Sequence, residues 1–493
     1  MQYTSTRDNQ VRVSVSQAIT QGISTEGGLF VPRSIPAISP PELAAMINMT
    51  YTQRAAYVIS RFLREEWTPD DVQAAVDGAY ASFDSPDITP VTTLDGNTYV
   101  LELFRGPTCA FKDIALQLLP RLLTASAKKM GGEQDYLILV ATSGDTGKAA
   151  LEGFRDVPGT RITVFYPSEG VSAMQKRQMT TQEGGNVQVV GIRGNFDDAQ
   201  TGVKKIFADA SIKEKIAARN QVFSSANSIN WGRLVPQIVY YFSAYGDLCK
   251  AQKIKLGDEI DFVVPTGNFG NILAGFYAKK MGLPIDKLIC ASNQNRILTD
   301  FFCTGIYDRN RDFYQTQSPS MDILISSNLE RLLYLATNGD SSAVAAWMTE
   351  LNAGGKYQIT RDLLAKLQQT FACGACDDVR TSDVIAKTWR RHNYLTDPHT
   401  AVAFGVLEDY RAETGATTPT VVVSTASPYK FAPAVLAAID SNNEALQTDD
   451  AYGILKALEV FTRIPCPSPL RGLQNKPIRF ETVCGVDEMA IWL

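Results

Sequence analysis

The fold is indicated most clearly by the stretch "DYLILVATSGDTGKAALEGF", which runs from Asp135 to Phe154. It opens with a run of large and β-branched apolar residues, continues through a short loop of Ser, Thr and Gly, and ends in an amphipathic pattern. The sequence therefore predicts a strand, a tight loop and a helix in succession. A loop of this kind places backbone N–H groups at the positive end of the helix, which suits an anion.

The same order recurs along the chain. The apolar runs "RITVFYP", "NVQVVGI", "DFVVPTG", "KLICASN" and "TVVVSTASP" each precede a helix-like segment. This repetition predicts parallel sheet with helices on both faces, in which ligands bind at the carboxyl ends of the strands. Ahead of it, a turn-rich segment and helical patterns predict a separate N-terminal unit that ends at about residue 88.

Composition restricts the class of protein. With 493 residues, 45% of them apolar and 20% charged, the chain can form a large core and more than one domain. Its net charge is −5 and its paired Lys and Arg residues are scattered, which argues against nucleic acid as a partner. The sequence shows no secretory signal and no apolar run near the roughly 18 residues of a membrane span, so we expect a cytoplasmic protein.

Cysteine and histidine give little support to a metal site. The eight cysteines are too sparse for a disulfide framework, although Cys373 and Cys376 form a C-x-x-C pair. A zinc site would need a second pair or suitably spaced histidines, and the chain has only His392 and His399. We therefore expect no metal. So few histidines also restrict acid–base chemistry, which makes a lysine the candidate base.

That lysine is Lys112, in "RGPTCAFKDIALQLLP". On a helix it shares an apolar stripe with Leu116 and Leu119, whereas Asp113 and Gln117 mark the polar side. Burial would lower the pKa of Lys112 because it penalises the charged form, and a neutral amine is what Schiff-base chemistry requires. A lysine near a helix start can also snorkel to solvent, so this pattern alone leaves both interpretations open.

Two further strand ends carry polar loops. "FVVPTGNFGNILAGFYAKKMG" places Gly267 and Gly270 where a backbone could approach a phosphate, and "TVVVSTASPYKF" offers Thr425 and Ser427. Either could equally be a plain turn or a helix cap. A buried lysine and a phosphate loop, in a chain without a dinucleotide fingerprint, together point to pyridoxal phosphate.

Several motifs in this order carry a family resemblance. "GPTCAFKD", "ATSGDTG", "SSANSINWGRLVPQIVYYF", "PTGNFGN" and "STASPYKF" resemble threonine synthases of the longer, fungal and enterobacterial-like branch. That family belongs to the fold type II pyridoxal-phosphate enzymes. The resemblance extends from about Gln17 to Lys430, and nothing is recognised beyond about Asp440.

The resemblance implies an α/β fold like that of the tryptophan synthase β subunit, with parallel-rich open sheets, helices on both faces and an added N-terminal domain. The implied division has four parts: an N-terminal domain over 1–88, a large cofactor-binding domain over 89–140 and 236–440, a smaller mobile substrate-closing lobe over 141–235, and a C-terminal extension over 441–493.

The resemblance also assigns residues by position. Lys112 would be the Schiff-base lysine and the catalytic residue. Thr425 would meet the pyridine nitrogen, and Asp145 stands near the cofactor 3-oxygen where many relatives have Asn. The cofactor phosphate would be held by Gly267, Asn268, Phe269, Gly270 and Asn271. The substrate's carboxylate and phosphate would be held by Ser143, Thr146, Asn227, Ser228, Asn230 and Arg233.

The implied reaction converts O-phospho-L-homoserine and water to L-threonine and phosphate, in a monomer or homodimer. Two enzyme alternatives remain open: a phospho-lyase that releases 2-oxobutyrate, and a serine or threonine dehydratase. A third alternative is a catalytically idle, cofactor-carrying regulatory protein. The SGDTG loop and Arg233 favour a phosphorylated substrate over free serine or threonine, and the intact Lys112 disfavours an idle protein.

Overall fold

The computed structural model describes residues 1–142, 144–169, 171–448 and 450–493, and leaves out the side chain of Asp197. Among the described helices, none is both long enough and apolar enough to cross a membrane.

The helices and strands follow one another in three stretches. The N-terminal stretch contains β1 (Tyr3–Ser5), α1 (Val15–Gln21), β2 (Phe30–Pro32), α2 (Pro40–Met46), α3 (Tyr51–Leu63) and α4 (Pro69–Tyr80). The next contains β3 (Val91–Asp95), β4 (Thr98–Glu102), α5 (Lys112–Leu116), α6 (Leu119–Lys129), β5 (Asp135–Ala141), α7 (Asp145–Phe154), β6 (Thr160–Pro167), α8 (Ala173–Thr180), β7 (Val187–Ile192), α9 (Phe196–Ala208), α10 (Ala210–Ala217), β8 (Gln221–Ser224) and α11 (Trp231–Lys250).

The third stretch contains β9 (Ile260–Pro265), α12 (Gly270–Met281), β10 (Ile285–Ser292), α13 (Ile297–Thr304), β11 (Ile306–Asp308), α14 (Leu329–Ala336), α15 (Ser341–Gly354), β12 (Lys356–Gln358), α16 (Arg361–Gln368), β13 (Phe371–Ala375), α17 (Asp378–His392), α18 (Pro398–Thr414), β14 (Thr420–Ser424), α19 (Ala432–Ile439), α20 (Ala451–Thr462), α21 (Ser468–Arg471) and β15 (Val483–Cys484). The described residues also form short 3₁₀ helices at Pro319–Met321, Pro428–Phe431, Glu444–Gln447, Gly472–Asn475 and Val486–Trp492.

The larger sheet has six strands in the order β13-β10-β9-β14-β4-β3. All neighbours in it run parallel except β3 and β4, which form an antiparallel pair at one edge. Strands β9, β14 and β4 are buried along their whole length, and each contains an apolar run: FVVP, VVV and YVL respectively. The predicted parallel α/β architecture is confirmed.

The second sheet has five strands in the order β15-β7-β6-β5-β8, all parallel. Together with α7 to α10 it forms a unit that we call the small lobe. Its sheet starts at Asp135, whereas the predicted lobe of 141–235 starts only where β5 ends. Its edge strand β15 comes from the C-terminal extension. Local patterning cannot show this, because β15 has only two residues, Val483 and Cys484.

The N-terminal helices begin at well-formed caps. Ser14, Thr50 and Thr68 each accept a hydrogen bond from the backbone N–H three residues later, which satisfies an otherwise unpaired donor. Helix α3 then packs on α11, and the apolar side chains of this N-terminal stretch join the same buried cluster as α11 and α12. The core is therefore continuous from the N-terminal stretch into the larger sheet.

Candidate active site

Lys112 lies at the carboxyl end of β14. The backbone N–H of Phe111 donates to the Thr425 carbonyl at 2.8 Å, and Ala110 forms an isolated β-bridge with Ala426. These contacts hold the start of α5 against the strand end. Lys112 and Thr425, far apart in the sequence, are thereby brought together as predicted for a ligand site at a strand end.

The Lys112 side chain is buried, with 9% of the residue exposed. Its Nζ donates to Ser320 Oγ at 3.1 Å and lies 3.7 Å from Asp145 Oδ2. Burial lowers the pKa of Lys112 to about 8, even though the carboxylate of Asp145 favours the charged form. The amine is therefore held where it can exchange a proton near neutral pH.

Asp145, the first residue of α7, lies between two lysines. Its Oδ1 is 2.7 Å from Lys430 Nζ and accepts from Gln175 Nε2 at 3.0 Å. Burial alone would raise the pKa of Asp145, but Lys430 and Lys112 together hold it well below its usual range. Asp145 is thus an ionised carboxylate whose charge is already used by the protein.

The glycine loop after β9 lies next to this group. A methyl group on Gly267 would lie 2.6 Å from the Ser320 carbonyl oxygen, so Gly267 admits the turn that carries Ser320. Phe269 adopts a left-handed backbone with φ of 64°, and α12 starts at the next residue. Around Gly270 there is more room, because a methyl group there would lie no closer than 3.6 Å to any neighbour, the nearest being Asn328 Nδ2.

Helix α11 forms the opposite wall. Arg233 is 5% exposed and donates through Nη1 to the Ala226 carbonyl at 2.8 Å. No carboxylate lies within 4 Å of it among the described residues, and its Nε has no partner there. Burial lowers the pKa of Arg233 to about 10. A buried cation without an anion is costly, so this position is prepared for an anionic ligand.

Asn271 is fixed by two tyrosines of α11. Tyr240 and Tyr241 donate from their hydroxyls to Asn271 Oδ1 at 2.5 and 3.0 Å. Its Nδ2 is buried and has no partner among the described residues. A donor left free in this way, in the first turn of α12, fits the phosphate of pyridoxal phosphate, and the buried Lys112 amine fits its aldehyde.

The remaining predicted residues lie in different places. Ser228 and Asn227 precede α11, and Ser228 Cβ would be 3.9 Å from a methyl group on Gly270. Thr146 is half-buried next to Asp145 in α7. Asn268 is exposed and contributes its carbonyl to Asn328. Ser143 lies outside the described residues.

Asn230 differs from the prediction. Its Oδ1 caps α11 by accepting from the Gly232 N–H at 2.9 Å, and its Nδ2 donates to the Ile19 carbonyl at 2.9 Å. Both ends of the amide are thus engaged within the protein, and we leave Asn230 out of the proposed substrate set. The two cysteines of the C-x-x-C pair have different neighbours. Cys373 Sγ lies 3.7 Å from Cys303 Sγ, whereas Cys376 Sγ contacts Thr381.

The sequence prediction missed three residues of the site. Lys430 carried a signal that could have been used, because it is a lone lysine in the apolar run "PYKFAPAVL", as Lys112 is in its own. Ser320 and Gln175 carried none, since an isolated polar residue in a loop or a short helix is ordinary.

Family models cover nearly the whole chain. Residues 2–80 match "Threonine synthase N terminus", residues 87–426 match "Pyridoxal-phosphate dependent enzyme", and residues 400–491 match "Threonine synthase, C-terminal". The last match includes the extension in which the sequence motifs gave no recognition. That tail therefore belongs to the family pattern.

Individual relatives agree. Threonine synthase-like 1 of Homo sapiens is 43% identical over 438 residues, which are 86% of this chain and 58% of that protein. The chain thus spans only about three fifths of the length of such relatives. Threonine synthase of Saccharomyces cerevisiae is 37% identical over 94% of both chains.

Among solved structures, pyridoxal-phosphate-bound threonine synthase from Brucella melitensis matches with a TM-score of 0.88 and 36% identity, over 100% of this chain and 98% of that one. The resemblance drawn from the motifs is confirmed over the full length, and the chain belongs to the threonine synthase family of pyridoxal-phosphate-dependent enzymes.

Proposed function

We propose that the chain is a threonine synthase, which uses pyridoxal phosphate to convert O-phospho-L-homoserine and water to L-threonine and phosphate. The observation that carries the proposal is that two buried cations, Lys112 and Arg233, have opposite surroundings. Lys112 has a carboxylate 3.7 Å away and Arg233 has none within 4 Å among the described residues. The first suits a proton-transfer group, and the second suits an anionic substrate.

Lys112, the GNFGN loop from Gly267 to Asn271 and Thr425 would hold the cofactor. When bound, pyridoxal phosphate supplies an electron sink for carbanions next to the substrate amine. The reaction then needs protons moved at three substrate carbons, Cα, Cβ and Cγ. One lysine could serve all three, because a pKa of about 8 leaves roughly a tenth of the amines neutral at pH 7.

Arg233 would bind the phosphate or the carboxylate of the substrate. Its guanidinium has one N–H engaged with Ala226 and a buried Nε without a partner among the described residues, so donors remain for a two-point contact with an oxyanion. Ser228 and Asn227, just before α11, and Thr146, in the first turn of α7, would complete that contact. Ser143 retains its predicted role in this set, although it lies outside the described residues.

The proposal also includes closure of the small lobe over the substrate, which would exclude bulk water while one molecule is kept for addition at Cβ. Any such movement would carry the chain end with it, since β15 pairs with β7 and Arg479 donates to the Gln182 carbonyl at 2.6 Å. A cytoplasmic location suits eight free cysteines, and we expect a monomer or homodimer.

The decisive experiment is to incubate the purified protein with O-phospho-L-homoserine and identify the organic product. We expect L-threonine and one phosphate per turnover, with no activity in a Lys112→Ala control. Release of 2-oxobutyrate with phosphate would instead identify a phospho-lyase, and turnover of free serine or threonine a dehydratase. A protein that retains pyridoxal phosphate but turns over none of these would support the idle alternative.

A second experiment tests the role of Arg233. Arg233→Ala should keep the visible absorbance of bound cofactor, while kcat/KM falls by at least ~100-fold, as expected for loss of about 3 kcal/mol from a charge-assisted contact. Arg233→Lys should recover only part of this loss, because lysine keeps the charge without the two-point geometry. Full recovery of Arg233→Ala by excess pyridoxal phosphate would assign Arg233 to the cofactor instead.

A further inference from the structure

A chain of hydrogen bonds connects Lys112 to a buried histidine outside the motifs that define the site. Lys112 Nζ donates to Ser320 Oγ at 3.1 Å, and the backbone N–H of Ser320 donates to His399 Nε2 at 3.2 Å. Ser320 Oγ can in turn donate to Asp145 Oδ2 at 3.5 Å. The Ser320 hydroxyl thus contacts both the amine and the carboxylate that opposes it, which are themselves 3.7 Å apart.

The histidine is held in one tautomer. Because Nε2 accepts from the Ser320 N–H, the ring hydrogen is on Nδ1, which lies 2.7 Å from Asp397 Oδ1. Asp397 is fully buried and also accepts from the His399 backbone N–H at 2.9 Å at the start of α18. The ring packs edge-on against Phe431, the neighbour of Lys430, with centroids 4.9 Å apart.

The 3₁₀ turn that carries Ser320 is therefore fixed from two sides. His399 holds its backbone N–H, and its carbonyl lies against Gly267, where a methyl group would come within 2.6 Å. A short loop segment gains nothing for packing by placing a hydroxyl against a lysine amine. The two supports hold the backbone of Ser320, and they thereby fix the point from which its hydroxyl meets the lysine amine.

We infer that Ser320 is a positioning residue for Lys112, and that His399 and Asp397 act through Ser320 by fixing its turn. In this arrangement the Ser320 hydroxyl receives the Lys112 amine whenever it is free and keeps it directed at the reacting carbons. The role assigned to Lys112 rests on the proposed function. The placement of the amine by Ser320 does not depend on which product the enzyme releases.

The test measures how fast the protein captures pyridoxal phosphate after the cofactor has been stripped with hydroxylamine. Capture is followed by visible absorbance on the full chain from about pH 6 to pH 10, and requires a neutral, well-placed Lys112. The charged groups that influence this amine are Asp145, Lys430 and Arg233. We expect Ser320→Ala to slow capture about tenfold and to lower kcat about tenfold, with KM within about twofold, because a displaced group loses rate rather than binding.

Three further variants keep the inference falsifiable. Ser320→Thr retains the hydroxyl and should restore capture. His399→Gln offers an amide oxygen to the Ser320 N–H and should behave better than His399→Leu, which should resemble Ser320→Ala. Ser318→Ala removes a hydroxyl from the same turn that contacts Asn293 rather than Lys112, so it reports simple loosening of the turn.

Equal slowing in Ser318→Ala and Ser320→Ala, or capture within twofold of wild type in Ser320→Ala, would overturn the inference. Because capture is measured without substrate, a failure of the threonine synthase assignment would leave these rates unchanged. The two proposals can therefore fail separately.

Discussion

The two glycine-containing junctions at β5–α7 and β9–α12 look alike in the sequence but differ in charge. At the first, Thr142 Oγ1 accepts from the N–H groups of Gly144 and Gly147 at 3.0 and 2.9 Å, and the helix begins with the carboxylate of Asp145. At the second, the first turn of α12 contains no acidic residue, and no side chain of the described residues caps it at Phe269.

The difference shows that a carboxylate of the protein can occupy a helix N-terminus, or that the N-terminus can stay free to bind an anionic ligand. The first junction already contains its negative charge, the Asp145 carboxylate, which lies within 4 Å of two buried lysine amines. The second presents backbone donors, the free Nδ2 of Asn271 and an open space at Gly270. Only the second therefore has the features expected of the site for the cofactor phosphate, whereas in the proposed function the carboxylate of the first serves Lys112.

The largest effect is expected from removing the internal anion. Asp145→Asn leaves Lys430, whose side chain is 0% exposed, without a carboxylate partner, and should lower the free energy of unfolding by about 3–5 kcal/mol in urea titrations. It also removes the group that favours protonated Lys112. The pKa of Lys112 should then fall further below about 8, so that the midpoint of cofactor capture moves to lower pH.

A matched control comes from the same helix. Glu152 pairs with Lys148 at 3.1 Å on α7, and neither residue is among the largest influences on the pKa of Lys112. Glu152→Gln should destabilise the fold without moving the capture midpoint. A midpoint that stays in place, or rises, in Asp145→Asn would mean that Asp145 does not set the charge of Lys112.

Two glycine substitutions, one at each junction, should distinguish the junctions through effects of intermediate size. A methyl group on Gly147 would overlap the Thr142 side chain and lie 2.9 Å from Val164 Cγ1, so Gly147→Ala should cost about 1–3 kcal/mol of stability. Gly270 has room for a methyl group, so Gly270→Ala should fold normally. If the phosphate lies over this helix start, however, the same methyl should weaken cofactor binding about tenfold.

Gly147→Ala should therefore lower stability without weakening cofactor binding, and Gly270→Ala should weaken cofactor binding without lowering stability. Unfolding free energy is measured on stripped protein, and the dissociation constant for pyridoxal phosphate on folded protein. The comparison fails if Gly147→Ala weakens cofactor binding as much as Gly270→Ala does, because both junctions would then contact the ligand.

Much of the fold could be predicted because buried parallel strands are continuous apolar runs, as in "TVVVS" and "DFVVP". The strand β13, "FACGA", was missed since Gly and small residues give no strand pattern. Strand β15 was missed because its pairing with β7 joins Val483 to Gly191, nearly three hundred residues apart. Such a pairing depends on tertiary packing rather than on local propensity.

At the site, Lys112 and the second glycine loop could be predicted because each breaks a local rule, a charge in an apolar stripe and glycines at a helix start. Ser320 and His399 break no such rule. Their contact forms because a 3₁₀ turn and the start of α18 meet only in the folded chain. Asn230 presents the opposite case, since a polar residue in a ligand-like motif is here engaged as a helix cap.

The smallest effect concerns a third junction, between β8 and α11, where the same distinction applies within one turn of helix. Asn230 is hydrogen-bonded to Gly232 and Ile19, and Arg233, three residues later, has no carboxylate partner among the described residues.

Asn230→Ala removes a cap and a buried hydrogen bond, so it should lower the free energy of unfolding by about 1–2 kcal/mol. KM for O-phospho-L-homoserine should stay within about twofold, in contrast to the loss of kcat/KM in Arg233→Ala. Asn230→Asp, which keeps the capping oxygen but not the donor to Ile19, should recover part of the stability. A tenfold rise in KM in folded Asn230→Ala would return this residue to the substrate set, and would show that a side chain engaged at both ends can still be drawn into binding.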